Sequence, residues 1–321
     1  MFGLTSAGLK TPKARDLNGF GVYHKLTVWL VTVWLVTSCA PPNHNDDSDY
    51  AQRISNTLKV AQSIEALPYQ PQVPPTWAKA TETQQQLNLL EFISLTGCDL
   101  QHVIGDKNSN LGKHAPASVA LLQTLSFLNA AESCISYLEQ ENKQELAQKI
   151  RAAANTKKAE LAISIGQALF DGPEFSSFWR NPATPDYPNN LSSDLAATLQ
   201  TLEKNIQQWL SGDYRYNSAE LAQQLLSIKR GDGGALIHEL QQTAFALEQA
   251  SSAISHKMEH EPLCLQGKST QAFTYFNNVV TSYFIGQIQP RNVVATKRAT
   301  AVFGVLNRIC LLYTSPSPRD A

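Results

Sequence analysis

Residues 194–210 read DLAATLQTLEKNIQQWL, and in them Leu195, Leu199, Leu202, Ile206 and Trp209 recur at spacings of four, three, four and three. That alternation keeps five large apolar side chains on one stripe of an α-helix, the pattern of a bundle seam. The same reading extends outward. Leu121, Leu125, Leu128, Ile135 and Leu138 give a second amphipathic helix, and Lys143 to Phe170 a third, longer one. Toward the C-terminus, Leu221 and Leu225 mark a short helix, and Gly231, Gly233 and Gly234 punctuate. A helix with Leu236, Leu240, Leu247, Ile254 and Met258 on one side follows. From Thr270, Phe273, Phe276, Val280 and Phe284 share a face until Pro290, after which a further helix starts.

Toward the N-terminus, Tyr50 to Leu67 forms a helix through Ile54, Leu58, Ala61 and Ile64. Pro68, Pro71, Pro74 and Pro75 then force an extended stretch. Thr81-Glu82-Thr83 opens a helix carrying Leu87, Leu89, Leu90, Phe92, Ile93 and Leu95, whose broad apolar face predicts a central position. Gly105 to Pro116 reads as a loop. Asp171 to Asn190, with Pro173, Pro182, Pro185 and Pro188, reads as irregular chain that packs down through Phe175, Phe178, Trp179 and Tyr187. Period-two alternation and internal repeats are absent. The expected fold is all-α, a multi-helix bundle of seven or more helices with antiparallel neighbours.

Composition agrees. Over 321 residues, 43% are hydrophobic and 17% charged, with a net charge of -1. This excludes collagen-like, coiled-coil and strongly disordered chains, and gives no electrostatic reason to bind nucleic acid.

The two ends read differently from the middle. Leu26 to Thr37, LTVWLVTVWLVT, is apolar and uncharged. It is too short for the roughly 20 residues of a spanning helix. A basic start at His24-Lys25 and a small residue before Cys39 complete a secretory signal peptide over residues 1–38. Val36-Thr37-Ser38-Cys39 resembles the bacterial lipobox, which implies lipidation of Cys39; Val stands where Leu is usual. Residues 1–21 read as an upstream extension, with initiation near Val22. Residues 39–49 read as a flexible, acidic tether, so that Asp46 and Asp47 need no catalytic explanation. The helical domain is expected over 50–309. Residues 310–321 resemble a translated transposon end with sequencing adapter, so the last helix should be cut short and Cys310 to Ala321 should lie unpacked.

Candidate chemistry is sparse. Phosphate-cradling glycine loops, nucleophile elbows and zinc-protease helix motifs are missing from the sequence. His256 and His260, one turn apart, are weak candidates for a metal, because a third ligand is needed at a specified place. No cofactor is expected. Cys98, Cys134 and Cys264 remain once Cys39 and Cys310 are set aside. An oxidising compartment permits one disulfide among them and leaves one thiol over.

Leu89 to Leu95, Cys98-Asp99-Leu100-Gln101 and Asn108-Ser109-Asn110-Leu111-Gly112-Lys113 resemble the opening block of an uncharacterised bacterial lipoprotein family, domain of unknown function 3080, found mainly in Gram-negative gammaproteobacteria. Ser118 and Ser133-Cys134-Ile135 continue that block. Leu263-Cys264 and Gln287-Ile288-Gln289-Pro290 resemble its C-terminal one. Asp106-Lys107 departs from the family, which tends to have Arg before the asparagine. The resemblance brings localisation and fold but no chemistry. It favours a Cys98–Cys134 bridge, since both cysteines flank the first block, with Cys264 a competitor for either.

The functional expectation is an envelope lipoprotein on the periplasmic face of the outer membrane, held by its lipid. It would bind an envelope protein or peptidoglycan partner without catalysis. An envelope hydrolase acting on peptidoglycan or lipid, and a periplasmic small-ligand carrier, stand as alternatives. The candidate surface is Lys107, Asn108, Ser109, Asn110, Gly112 and Lys113 with Ser118, where short polar groups and two lysines suit an anion or a partner's backbone. Turn and cap formation explains the same residues.

Overall fold

The structure, a computed structural model, describes residues 47–72, 87–182 and 194–314. The signal segment, Cys39, residues 39–46 of the expected tether, the Thr81 helix start, Tyr187 and residues 315–321 lie outside them. The described residues form an all-α, multi-helix fold with one two-stranded hairpin.

The helices in chain order are α1 (Asp47–Leu58), α2 (Leu89–Ile93), α3 (Leu100–Asn108), α4 (Asn110–Lys113), α5 (Ala117–Gln140), α6 (Gln144–Phe170), α7 (Pro173–Arg180), α8 (Asp194–Leu210), α9 (Ser218–Lys229) and α10 (Gly233–His260). The hairpin β1 (Cys264–Leu265) and β2 (Lys268–Ser269) follows, then α11 (Gln271–Val279), a π-helix (Val280–Ile288) and α12 (Gln289–Thr314).

The main core gathers α5, α6, α7, α8 and α9 with the C-terminal part of α12. The α8 stripe is wholly inside: Leu195, Leu199, Leu202, Ile206 and Trp209 are all buried. At roughly 1.5–3 kcal/mol for each large side chain removed from water, that stripe alone accounts for much of the helix's docking. Trp209 also donates its indole N–H to the Arg215 carbonyl at 3.0 Å. Helices α5 and α6 are joined by a tight turn with Asn142 at φ 58, which makes them antiparallel neighbours. A second cluster packs α1 against the far half of α10, α11 and the π-helix. Here Ala51, Ile54 and Leu58 of α1 meet Ala250 and Ala253 of α10, large side chains against small ones.

Several segments differ from their sequence reading, each for a physical reason. The expected tether becomes helical at Asp47, because Tyr50, Ala51 and Ile54 continue a buried face back to that residue. Residues 60–72 carry no regular secondary structure, and the α1 helix ends at Leu58 rather than at Leu67. Helix α2 is short and peripheral. Its Leu89, Leu90 and Ile93 are exposed, and only Leu95 beyond its end is buried. The chain turns at Gly97 (φ +100), where an added Cβ would lie 2.6 Å from the Tyr137 hydroxyl. The Gly105–Pro116 segment is mostly helical turn, shared by α3 and α4. Within the segment read as irregular, Pro173 takes the first position of α7, where its missing N–H costs nothing.

Helix α10 buries a face displaced toward its small residues, with Leu236 inside it and Leu240, Leu247 and Ile254 partly buried at its edge. Ala235, Leu236, Glu239, Thr243, Ala246, Ala250 and Ala253 are buried, whereas Met258 is 61% exposed. Small residues win because three elements approach this helix closely. Pro290 does not interrupt the last helix, since the π-helix immediately before it has already given up i→i−4 bonding. Finally, α12 runs on to Thr314, with Cys310 and Leu312 partly buried against the main core. Leu312 falls on the stripe already set by Val302, Val305 and Ile309, so helix periodicity carries it inward.

At Gly234, α10 lies close against the backbone of α7. A Cβ there would sit 2.0 Å from the Trp179 carbonyl oxygen, backbone that cannot swing aside. Gly234→Ala is expected to lower stability by about 1–3 kcal/mol, as overpacking of a close contact does. Chemical denaturation with an unchanged slope and a lower midpoint checks it.

Candidate functional site

The sequence-derived surface resolves into caps. Asn108 ends α3, and Ser109 caps α4, its Oγ accepting from the Gly112 N–H at 3.0 Å and donating to the Asp106 carbonyl at 2.7 Å. An added Cβ at Gly112 would meet the Asp106 carbonyl oxygen at 2.1 Å, so glycine is demanded by the turn itself. Lys107, Asn108, Ser109, Asn110 and Lys113 are exposed or nearly so, and Ser118 stands in the first turn of α5. The turn-and-cap explanation therefore accounts for the serine and the glycine. The single-turn α4 supplies no anion cradle.

Beside this turn lies the short α2, held by polar contacts at both ends. The Asn88 side chain accepts from the Glu91 N–H at 2.9 Å, and the Asn88 N–H donates to Glu91 Oε2 at 2.9 Å, a reciprocal capping box. Glu91 also pairs with Lys149 of α6, and that contact holds its carboxyl below the ordinary glutamate value. Lys143 donates to the Ser94 carbonyl at 3.0 Å, and Gln101 to the Phe92 carbonyl at 3.1 Å. Phe92 turns toward Gly105 of α3. With its polar groups and Phe92 so engaged, α2 presents Leu89 at 72%, Leu90 at 76% and Ile93 at 53% exposure. Leu111 on α4 is 88% exposed. Below them, Cys98 and Cys134 form a disulfide that ties the start of α3 to α5 across 36 residues.

Cys264 is an exposed free thiol on β1, opposite Ser269. The two-residue turn Gln266-Gly267 closes this hairpin, both residues at positive φ. His256 and His260 stack with ring centroids 4.4 Å apart, and His260 Nδ1 lies 2.8 Å from the His256 carbonyl oxygen. The local backbone thus occupies one imidazole nitrogen. Among the described residues no three His, Cys, Asp or Glu side chains gather as metal ligands. The aromatic segment after Asp171 serves the core: Phe175 and Phe178 are fully buried, and Trp179 stacks on Phe303 at 6.0 Å.

The charged groups that do converge were not singled out from the sequence. Arg291, near the start of α12, lies between Asp47 of α1 and Glu239 of α10, with side-chain exposures of 10%, 3% and 8%. Its Nε is 2.7 Å from Glu239 Oε1, and Thr243 donates to Asp47 Oδ2 at 2.6 Å. Two turns along, Arg298 clamps Asp232 through Nε–Oδ2 at 2.6 Å and Nη2–Oδ1 at 2.5 Å. Further on, Arg308 holds Glu203 of α8 with two bonds of 2.8 Å. The signal was a matched seven-residue spacing, Asp232 to Glu239 on one helix and Arg291 to Arg298 on the other. It is visible only once the two helices are known to run antiparallel.

Two substitutions separate these roles. Ser109→Ala is expected to cost about 1 kcal/mol, the ordinary loss of a cap. Arg298→Ala, which strands Asp232 at 14% side-chain exposure, is expected to cost roughly 3–5 kcal/mol as a broken buried pair. Equal effects in urea titrations would contradict this ranking.

No curated protein and no solved structure matches the chain. The family model described as protein of unknown function (DUF3080) matches residues 47–306, a span that opens on Asp47 and takes in the Arg291 and Arg298 pairs but ends before Arg308. The chain belongs to the DUF3080 family of proteins of unknown function.

Proposed function

We propose that this protein is an envelope lipoprotein, lipidated at Cys39 on the periplasmic face of the outer membrane, that binds a protein partner and performs no catalysis. The observation that carries the binding half is α2. Its capping box, its ion pair to Lys149 and the Cys98–Cys134 bridge hold one helical turn in place. The side chains so displayed are Leu89, Leu90 and Ile93. Large aliphatic groups left this exposed on a well-anchored element are what a protein surface uses to recruit another. A hydrolase would need polar groups converging on a cleft. Here the converging groups are arginine–carboxylate pairs inside the helix packing. The lipoprotein half rests on the apolar segment and the cysteine that ends it. One acyl chain alone binds membranes marginally, so firm attachment needs the multiple chains that such a cysteine receives.

Replacing Leu89, Leu90 and Ile93 together by Ser should leave the melting temperature within a few degrees of the parent, because none of them is buried. The same variant should lose a protein that cross-links to the parent in intact envelopes. An unchanged cross-linking pattern would remove α2 as the contact surface. Separately, Cys39→Ser should abolish palmitate labelling and release the protein from the membrane fraction. Continued labelling would refute the lipid attachment without touching the α2 result.

A further inference from the structure

Where α1, α10 and α12 meet, two carboxylates share one guanidinium. Asp47, Glu239 and Arg291 are all nearly enclosed. The cluster therefore carries one negative charge more than positive, in a place where water screens little. The two acids are not equally served. Asp47 accepts from the Thr243 hydroxyl, pairs with Arg291 Nη2 and stands in the first turn of α1, where free N–H groups favour an anion. Glu239 sits inside α10 with no such field. Its Oε1 approaches Arg291 Nε at 2.7 Å off the N–H axis, so that the contact is an ion pair rather than an aligned hydrogen bond.

The neighbouring charges do not supply the missing balance. The next rung along α10 and α12 is Asp232 with Arg298, matched one to one. Asp49 and Arg53 of α1 pair with each other on the surface. His238, adjacent on α10, sets its ring edge-on to Tyr69 at 5.1 Å. Arg180, at the end of α7, is exposed.

We propose that Glu239 is a proton-binding trigger: taking up a proton as pH falls removes the surplus charge and tightens the junction of α1, α10 and α12. The electrostatics run in the required direction. Burial pushes the Glu239 carboxyl above the ordinary glutamate value; the Arg291 charge opposes this, and the Asp47 charge adds to it. Because the folded value is the higher one, the stabilisation that protonation brings is complete below the unfolded value. It is lost as pH rises through the folded value. This device is independent of what α2 binds.

Thermal melting of the protein and of Glu239→Gln, from pH 4 to 8, tests the idea. Glutamine keeps the shape of the neutral acid at every pH. The variant should melt higher than the parent at neutral pH. The gap should close as pH approaches about 4.3, the unfolded glutamate value. A parent that melts higher than the variant at neutral pH would overturn the proposal, since the ion pair with Arg291 would then outweigh the surplus charge. Carbon-detected titration of the Glu239 carboxyl in the unaltered protein gives a second reading that needs no variant. A midpoint above the ordinary value supports the trigger, and one at or below it refutes the trigger.

Discussion

Arg291 holds together three helices that sequence places far apart. The guanidinium comes from α12, one carboxylate from α1 and the other from α10. Apolar packing by itself tolerates small slides and rotations of one helix on another, because one Ala or Leu contact resembles the next. Buried charges do not. A one-turn slip of α12 along α10 would strand Arg291, Arg298, Glu239 and Asp232 at once, at several kcal/mol for each unpaired ion. The arginine pairs therefore set the register, and Ala295, Ala235 and Leu236 fill the space between two rungs. The π-helix and Pro290 contribute by setting the phase of α12. A wider helical segment before the proline rotates everything after it, so that Arg291 faces inward while Phe273 and Phe276 still pack on the α1 side.

The rest of the structure follows from close approach. Gly233 and Gly234 let α10 begin against the Phe178 ring and the Trp179 carbonyl, and the α10 alanines let α1 lie close along its other half. At the opposite end, the bridge between Cys98 and Cys134 and the turn at Gly97 hold α2 and α3 to α5. The two ends differ in character. The junction around Arg291 is interior and charged, and it fixes how three helices meet. The α2 end is exterior and apolar, anchored by polar groups on its inner side, and it is the surface proposed above to meet a partner.

Much of this architecture is legible in the chain. The α8 stripe from Leu195 to Trp209, the α5 stripe from Leu121 to Leu138 and the long α6 are read directly from helical spacing, because large aliphatic side chains at that period have no stable place except a core. The readings that failed share a cause. A count of apolar residues finds a helix but does not say which face meets a neighbour. It therefore placed the α2 leucines in the centre, and gave α10 a line from Leu236 to Met258 of which Leu236 is buried, Leu240, Leu247 and Ile254 are partly buried and Met258 is exposed. Asp47 was read with Asp46 as solvated charge, since a buried acid and a tether acid look alike until the partner arrives from 244 residues away.

The sequence by itself determined the fold class, the seams of α5 and α8, and the turn and cap chemistry around Ser109 and Gly112. Each depends on neighbours within a few turns, and local periodicity encodes those neighbours. Only the tertiary structure decided which carboxylates Arg291, Arg298 and Arg308 meet, which face of α10 is buried, and that three aliphatic side chains of α2 remain in solvent. Those outcomes rest on the relative rotation and register of helices distant in the chain. They are selected by desolvation of charge and by close approach of small residues, neither of which leaves a periodic mark in the sequence.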